Sequence, residues 1–372
     1  MVLREIYTSY PKLTVHVAVH KTLTLPGDLK LSVKQHELAE SATVDVIWNM
    51  LAEKATTDFV LVGRRFERFL WQVNVGLERL VRVVSELGVD AVGGAFRTPD
   101  GHWSLGCQQT QLAHYRIKYV DGYHRSSKSC AFCDYIPSPF VSRLSTLLAV
   151  RFNMASPDVV FHDYFLRLKK LRKLAVSCPD VMFFVQGNNM SEASRHKQWK
   201  QMAQVHAINV VHFADEQQLS FSCDEAKTLC KRQTGISRPI CCLNVLRKQI
   251  QDTFEICEKL GIFCRVNCGT ALGALKFKGV LPWELDADIS YTPSKDVNFW
   301  QRKDEFTSSA NTTQANVGFS IRGFLRVASL PSVHGIGMLT CGTTLPGISL
   351  TGCEDTILNR RRSRWVTGGS IL

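Results

Sequence analysis

The chain has 372 residues, 45% hydrophobic and 21% charged, which excludes a disordered or collagen-like polypeptide and suffices for two domains with separate cores. Lys and Arg number 45 against 33 for Asp and Glu, a net charge of +12. That favours anionic partners (nucleotides, phosphorylated glycans, nucleic acid or a membrane surface) without choosing among them. The 13 cysteines are many for a cytosolic protein, and their odd number leaves at least one unpaired. Two triplets starting at Asn189 and Asn311 would accept N-glycans in a secretory compartment. No apolar run near the N-terminus is long enough for a signal peptide or a membrane span.

In chain order, strands are expected at Leu13–Val19, Phe59–Val62, Val89–Val92, Val159–Phe161, Val181–Val185 and Asn209–His212. Helices are expected over 42–54, 68–87, 139–150, 163–175 and 191–206. This alternation predicts an α/β layer fold for residues 1–215. Its outline resembles a GT-A glycosyltransferase, in which the strand at Asp58–Val62 would end at an Asp-x-Asp metal motif. Here Gly63, Arg64 and Arg65 follow instead, and arginines cannot hold the metal of a nucleotide-sugar donor. Asp163, beside His162, is expected to favour a helix start electrostatically. Basic residues from Arg167 to Lys173 alternate with Leu166, Leu168, Leu171 and Leu174, the pattern of an amphipathic helix with a solvated basic face. Cys130 and Cys133, two residues apart in a polar loop, are open to three readings: a disulfide, half a metal site or two free thiols.

A second domain is expected over 216–372. Cys223, Cys230, Cys241 and Cys242 crowd a polar, basic loop, which fits a tetrahedral four-cysteine zinc site. Two disulfides are the alternative; adjacent cysteines bridge poorly, which favours zinc. Such a zinc is structural, because four thiolates leave no open coordination position. Leu243, Leu246, Ile250, Phe254 and Cys257 then recur at helical spacing, and Cys257, Cys264 and Cys268 read as small buried apolar side chains.

A strand at Ile262–Val266 leads to a turn at Gly269 and Thr270, a short helix at Ala271–Lys276, and breaks at Gly279 and Pro282. A further strand is expected to carry Glu284, Asp286 and Asp288 on one face, with Leu285, Ala287 and Ile289 on the other. Three acids on one face repel one another, and a hard divalent cation such as Mg²⁺ or Mn²⁺ would remove that repulsion. The Gly-Thr turn can aim backbone N–H groups at a phosphate. Together these are parts needed for phosphoryl transfer.

The pattern G-T-x-L-G-A, a basic residue, then G-x-x-P-W-[DE]-x-D-x-D resembles the signature of the LicD family, whose members include the fukutin-related proteins. It falls here on Gly269, Thr270, Leu272, Gly273, Ala274, Lys276, Gly279, Pro282, Trp283, Glu284, Asp286 and Asp288. Glu284 stands where the family usually has Asp, and Phe277 where a His often follows the basic residue. The resemblance implies a GT-A-like, non-catalytic stem at 1–215 and a nucleotidyltransferase-like α/β catalytic domain with a cysteine-rich zinc loop at 216–372. It implies transfer of ribitol 5-phosphate from CDP-ribitol to a glycoprotein glycan in the Golgi lumen, by a homo-oligomer with no nucleic-acid partner. In that picture Asp286 and Asp288 hold Mg²⁺ or Mn²⁺, and Glu284 shares the metal or acts as base. Gly269, Thr270 and Gly273 bind donor phosphates, and Lys276 neutralises the leaving nucleotide. Phosphocholine transfer, as in bacterial members, and an inactive paralogue acting as a binding module are the alternatives. Members carry an N-terminal membrane anchor and a late His-x-Asp strand. This chain has Val333-His334-Gly335 at the latter and an arginine-rich stretch at Arg360–Arg364, so a fragment or incomplete gene model is expected.

Overall fold

The computed structural model describes residues 2–22, 24–25, 27, 33–69, 76–187, 191–228, 230 and 237–291, plus the backbone of three short later strands. Asn189, Asn311, His334 and Arg360–Arg364 lie outside the described residues. The chain divides into two compact units, Met1–Thr228 and Leu229–Leu372, and is mixed α/β. Among the described residues no helix is long and apolar enough to cross a membrane.

The first unit opens with α1 (Val2–Ser9), β1 (Val15–Val19), β2 (Val33–Glu37), α2 (Val44–Lys54), β3 (Phe59–Val62), β4 (Phe66–Arg68) and α3 (Leu77–Leu87). Then come β5 (Ala91–Arg97), β6 (Trp103–Ser104), β7 (Gln108–Ala113), β8 (Arg116–Asp121), β9 (Ser126–Ser127), β10 (Cys130–Cys133) and β11 (Phe140–Arg143). It closes with α4 (Leu144–Val150), α5 (Val160–Lys170), β12 (Ala175–Val185), α6 (Glu192–His206), β13 (Val210–His212) and β14 (Gln218–Ser220).

β5 and β12 run parallel at the centre of a mixed sheet, with Ala91 opposite Ala175 and Val92 opposite Val176. β11 pairs antiparallel with β5 and with β3, and β10 antiparallel with β12. Side chains alternate across a strand, so the sheet buries both faces. Val92 and Val176 join Leu80, Val83 and Val84 of α3 in one core. Ala91 and Ala175 face Tyr164 and Phe165 of α5 and Trp199 of α6 in the other. Full burial of each aliphatic side chain on α3 contributes about 2 kcal/mol. Val181–Val185 falls inside β12, and β3 has the expected bounds.

Several expectations change here. Val159–Phe161 is no strand: α5 starts at Val160, and that apolar triplet lies in a helix whose first two turns are buried almost all round. Periodicity cannot tell such a segment from a core strand. The helix expected over 139–150 splits, its first residues pairing as β11 with β3 and β5 before α4 begins. Asp163 does more than favour a helix end. Its fully buried carboxylate accepts from Arg167 Nε at 2.8 Å and from the His206 ring at 2.8 Å, tying α5 to α6. Nor is the basic face merely solvated. Lys169 pairs with Asp134 and Lys173 with Asp90, at 2.7 and 2.6 Å, and Arg167 also donates to the Arg151 carbonyl. Cys130 and Cys133 are bonded to other partners, Cys178 and Cys107, so they staple β10 to its surroundings.

The second unit contains α7 (Ile240–Lys259), β15 (Cys264–Val266), α8 (Cys268–Phe277), β16 (Asp288–Tyr291), β17 (Ser320–Gly323), β18 (Thr344–Leu345) and β19 (Ile348–Ser349). β16 pairs antiparallel with β15, Ile289 opposite Val266, and parallel with β17. Cys257 and Cys264 form a disulfide from the last turn of α7 to β15, where separate apolar thiols were expected; Cys268 is free and exposed. The two sulfurs meet because the chain reverses tightly at Gly261, whose φ is +62°.

Candidate active site and cysteine cluster

The conserved-looking spacing around Gly269 becomes, in three dimensions, a corner between α8 and the start of β16. Asn267 is the residue before the helix, in extended conformation, and makes no side-chain cap. The first helical hydrogen bond runs from the Ala271 N–H to the Asn267 carbonyl at 3.0 Å. Gly269 and Thr270 are therefore not a turn ahead of the helix but part of its first turn, where N–H groups have no intrahelical acceptor. The partial positive charge of a helix start favours an anion there.

That place is taken by Glu284. A Cβ on residue 269 would stand 2.4 Å from Glu284 Oε2, so only glycine lets the carboxylate come so close. Buried Thr270 accepts the Asp288 N–H on its hydroxyl at 2.8 Å, while the Asn267 N–H donates to the Asp288 carbonyl at 2.9 Å. The two bonds stitch the first residue of β16 to the start of α8. Arg238, just before α7, secures the lead-in: its N–H donates to the Pro282 carbonyl at 2.8 Å and its Nη1 to the Glu284 carbonyl at 3.0 Å.

The acids differ from the expectation in backbone and agree in company. Glu284 and Asp286 precede the strand, which begins only at Asp288, because a turn closed by the Glu284 N–H on the Leu281 carbonyl holds the Pro282-Trp283 segment. Ala287 and Ile289 are nonetheless buried, and the acids face away from them half-buried. Glu284 is held above its ordinary value of 4.5, first by burial, then by a hydrogen bond with Asp286 and by the charges of Asp286 and Asp288. The mutual repulsion of these carboxylates thus favours the protonated form of Glu284 relative to an isolated glutamate.

Two expected phosphate-binding residues are placed elsewhere. Gly273 is buried beneath returning backbone: a Cβ there would lie 2.6 Å from the Gly279 carbonyl oxygen, and the Gly279 N–H donates to the Gly273 carbonyl at 3.3 Å. Its glycine serves close packing. Lys276 is exposed in the last turn of α8, about 10 Å along the axis from Gly269. The sequence reading missed Asn267 and Arg238. An Asn ahead of a helical run is a recognisable start signal; nothing in the spacing marks Arg238.

The cysteine loop also comes together. Within the second unit, Cys241 Sγ is 4.0 Å from Cys242 Sγ. The cysteines are oxidised: Cys230 and Cys242 are joined, and Cys223 and Cys241 are disulfide-bonded as well. Scanned against models of protein families and compared with curated proteins, the chain matches none.

Proposed function

We propose that the protein is a metal-assisted phosphotransferase of the LicD and fukutin-related type, moving ribitol 5-phosphate from CDP-ribitol to a glycoprotein glycan. The observation that carries this reading is the Glu284 carboxylate, pressed on the start of α8 at Gly269, with Asp286 and Asp288 near enough that their charges help raise its pKa. A set of hard oxygens that repel one another suits a divalent cation. Asp286 and Asp288, with Glu284, are the residues to hold Mg²⁺ or Mn²⁺, which would neutralise phosphate charge when bound. Beside it, the first helical turn of α8 holds Glu284 in place, and Thr270 positions Asp288 through its backbone. Glu284, with its raised pKa, is suited to take the proton of an acceptor hydroxyl. Exposed Lys276 reaches only a part of the donor lying along the helix.

The same reading takes residues 1–215 as a GT-A-like stem and 216–372 as the catalytic domain, with Golgi-lumenal action, a homo-oligomeric state and no nucleic-acid partner. Four disulfides between named pairs are in keeping with an oxidising compartment. Under reducing conditions Cys223, Cys230, Cys241 and Cys242 would hold one structural Zn²⁺, their thiolates completing a tetrahedral site. Elemental analysis of protein prepared with reductant and without chelator should give about one zinc per chain, lost in Cys242→Ser. Retained zinc in that variant removes the assignment.

The enzyme reading is tested by melting wild type and Asp286→Asn in EDTA and in Mg²⁺ with CDP-ribitol. The variant should melt no lower than wild type in EDTA, since it sheds a repelling charge. It should lose the gain from metal and donor, and its turnover should fall about a hundredfold or more. A variant that melts lower in EDTA yet keeps the full gain would make these carboxylates scaffold.

A further inference from the structure

In the first unit, β3 delivers Gly63, Arg64 and Arg65 to the floor of a cleft of about 740 Å³, well within the size of small-molecule sites. The Arg64 side chain is partly buried there with its Nε sealed from solvent, and desolvation lowers the pKa of its guanidinium, which stays charged at any accessible pH. Its Nη2 donates to the Ile136 carbonyl at 2.7 Å and to the Tyr135 hydroxyl at 3.3 Å, and the guanidinium lies 4.3 Å from the Phe161 ring centre. All of these partners are neutral. Three carboxylates line the same cleft: Asp158 is paired with Arg65 at 3.5 Å and accepts from Trp199 Nε1 at 3.0 Å, Asp121 accepts from Gln108 Nε2 at 2.8 Å, and Asp215 accepts the Gln217 N–H at 3.2 Å. Among the described residues, no carboxylate forms an ion pair with Arg64. Buried charges are ordinarily paired, because the desolvation penalty is otherwise uncompensated.

Three buried polar atoms around the same cleft have no hydrogen-bond partner within the protein: Arg64 Nε, His162 Nδ1 and the Tyr119 hydroxyl. Native interiors leave few such groups, and three at one cleft point to a ligand that completes them. His162 stacks on Tyr135 with ring centres 4.0 Å apart and touches Tyr119 and Trp199 edgewise, so the wall beside the guanidinium is aromatic. Burial, opposed by Asp158 and reinforced by Arg64 and Arg65, pushes His162 down to about 3. It is a neutral donor or acceptor, and the positive charge comes from arginine. Arg65 and Arg195 line the rim.

We propose that this cleft binds a phosphate ester of a ring compound, a nucleotide or a glycosyl phosphate, with Arg64 as the counter-charge and without a divalent cation. A guanidinium fork matches phosphate oxygens in two directions, and the aromatic wall accepts the flat or apolar face of the attached ring. Cation dependence separates this site from the carboxylate corner of the second unit, which is expected to need a metal.

The test is calorimetric titration of the full chain in EDTA with UDP, with glucose 1-phosphate and with inorganic phosphate. One or both esters should bind at a single site, more tightly than inorganic phosphate; the preferred ester tells nucleotide from glycosyl phosphate. Arg64→Met should weaken binding at least tenfold while the ligand-free protein melts no lower, since a desolvated charge without an ion pair is replaced by a packed apolar side chain. If that variant fails to fold, Arg65→Gln, at a half-exposed position, should weaken binding about tenfold as one charge-assisted contact is lost. No binding by either ester in EDTA overturns the proposal. So does binding unchanged in the foldable variant, or inorganic phosphate binding as tightly as the esters.

Discussion

The cleft of the first unit and the carboxylate corner of the second gather charge of opposite sign by opposite means. In the cleft the cation is covalently part of the chain: Arg64 is partly buried among rings and carbonyls, and among the described residues no carboxylate forms an ion pair with it. In the corner the chain supplies anions, and burial together with the neighbouring Asp286 and Asp288 raises the Glu284 pKa. The first arrangement needs no metal to attract a phosphate, and the second is incomplete without one. A protein can therefore present two phosphate-oriented sites whose cation requirements differ, because one carries its positive charge as guanidinium and the other leaves the position to an ion.

The largest effect tests whether the wall behind the cleft is rigid. Asp163→Asn leaves Arg167 short of its buried counter-ion and deprives His206 of its acceptor, and should lower unfolding stability by about 3–5 kcal/mol in denaturant titration. Burial alone would raise the Asp163 pKa, but the bonds from His206 and Arg167 hold it below the ordinary carboxylate range. A loss within a few tenths of a kcal/mol would show that α5 and α6 are held otherwise.

Acid should then pull the two regions in opposite directions. His162 is depressed to about 3, so its contribution is present above its unfolded value of 6.5 and is lost as pH falls below it, on the order of 3 kcal/mol by pH about 4.5. Glu284 is raised, so in metal-free protein its contribution is full below 4.5 and is lost as pH climbs through its raised value. Hydrogen exchange in EDTA reads both at once. Amide protection across α5 should fall on acidification while that from β15 to β16 rises, and His162→Gln and Glu284→Gln should each flatten one trend. Parallel trends would contradict the charge assignment.

The smallest stability effect belongs to Gly269→Ala. Alanine is the better helix former by about 1 kcal/mol, which partly offsets its clash with the Glu284 carboxylate, so the metal-free protein should stay within about 1 kcal/mol of wild type. The displaced Glu284 should nevertheless halve, or more than halve, the melting-temperature gain from Mg²⁺ and CDP-ribitol. An undiminished gain would mean that Glu284 need not sit on the helix start.

Much of this was legible in the residues themselves. The β-branched run Phe59–Val62, the segment Val181–Val185 that forms the second half of β12, and α6 read as they fold, since local propensity and burial agree there, whereas the first half of β12 did not. The acids were marked by spacing, but their company is set by the turn before β16 as much as by alternation: Ala287 and Ile289 are buried, Leu285 is half-buried, and only Asp288 lies in the strand. What the residues could not settle was set by partners remote in sequence. Val159–Phe161 became helix because α6 and the sheet bury it on several sides. The thiols of Cys130, Cys133, Cys257 and Cys264 found partners through strand pairing and chain reversal, which no spacing rule encodes. Gly273 and Lys276 lie within eight residues of Gly269, yet helical rise and the returning 279–281 backbone give them packing and exposure instead of a place beside the acids. Arg64 is the sharpest case. The sequence placed it at a strand end and denied that end a metal; only the tertiary structure set it among aromatic rings with no ion-paired carboxylate among the described residues, because those rings come from the β10–β11 segment and α5, far along the chain.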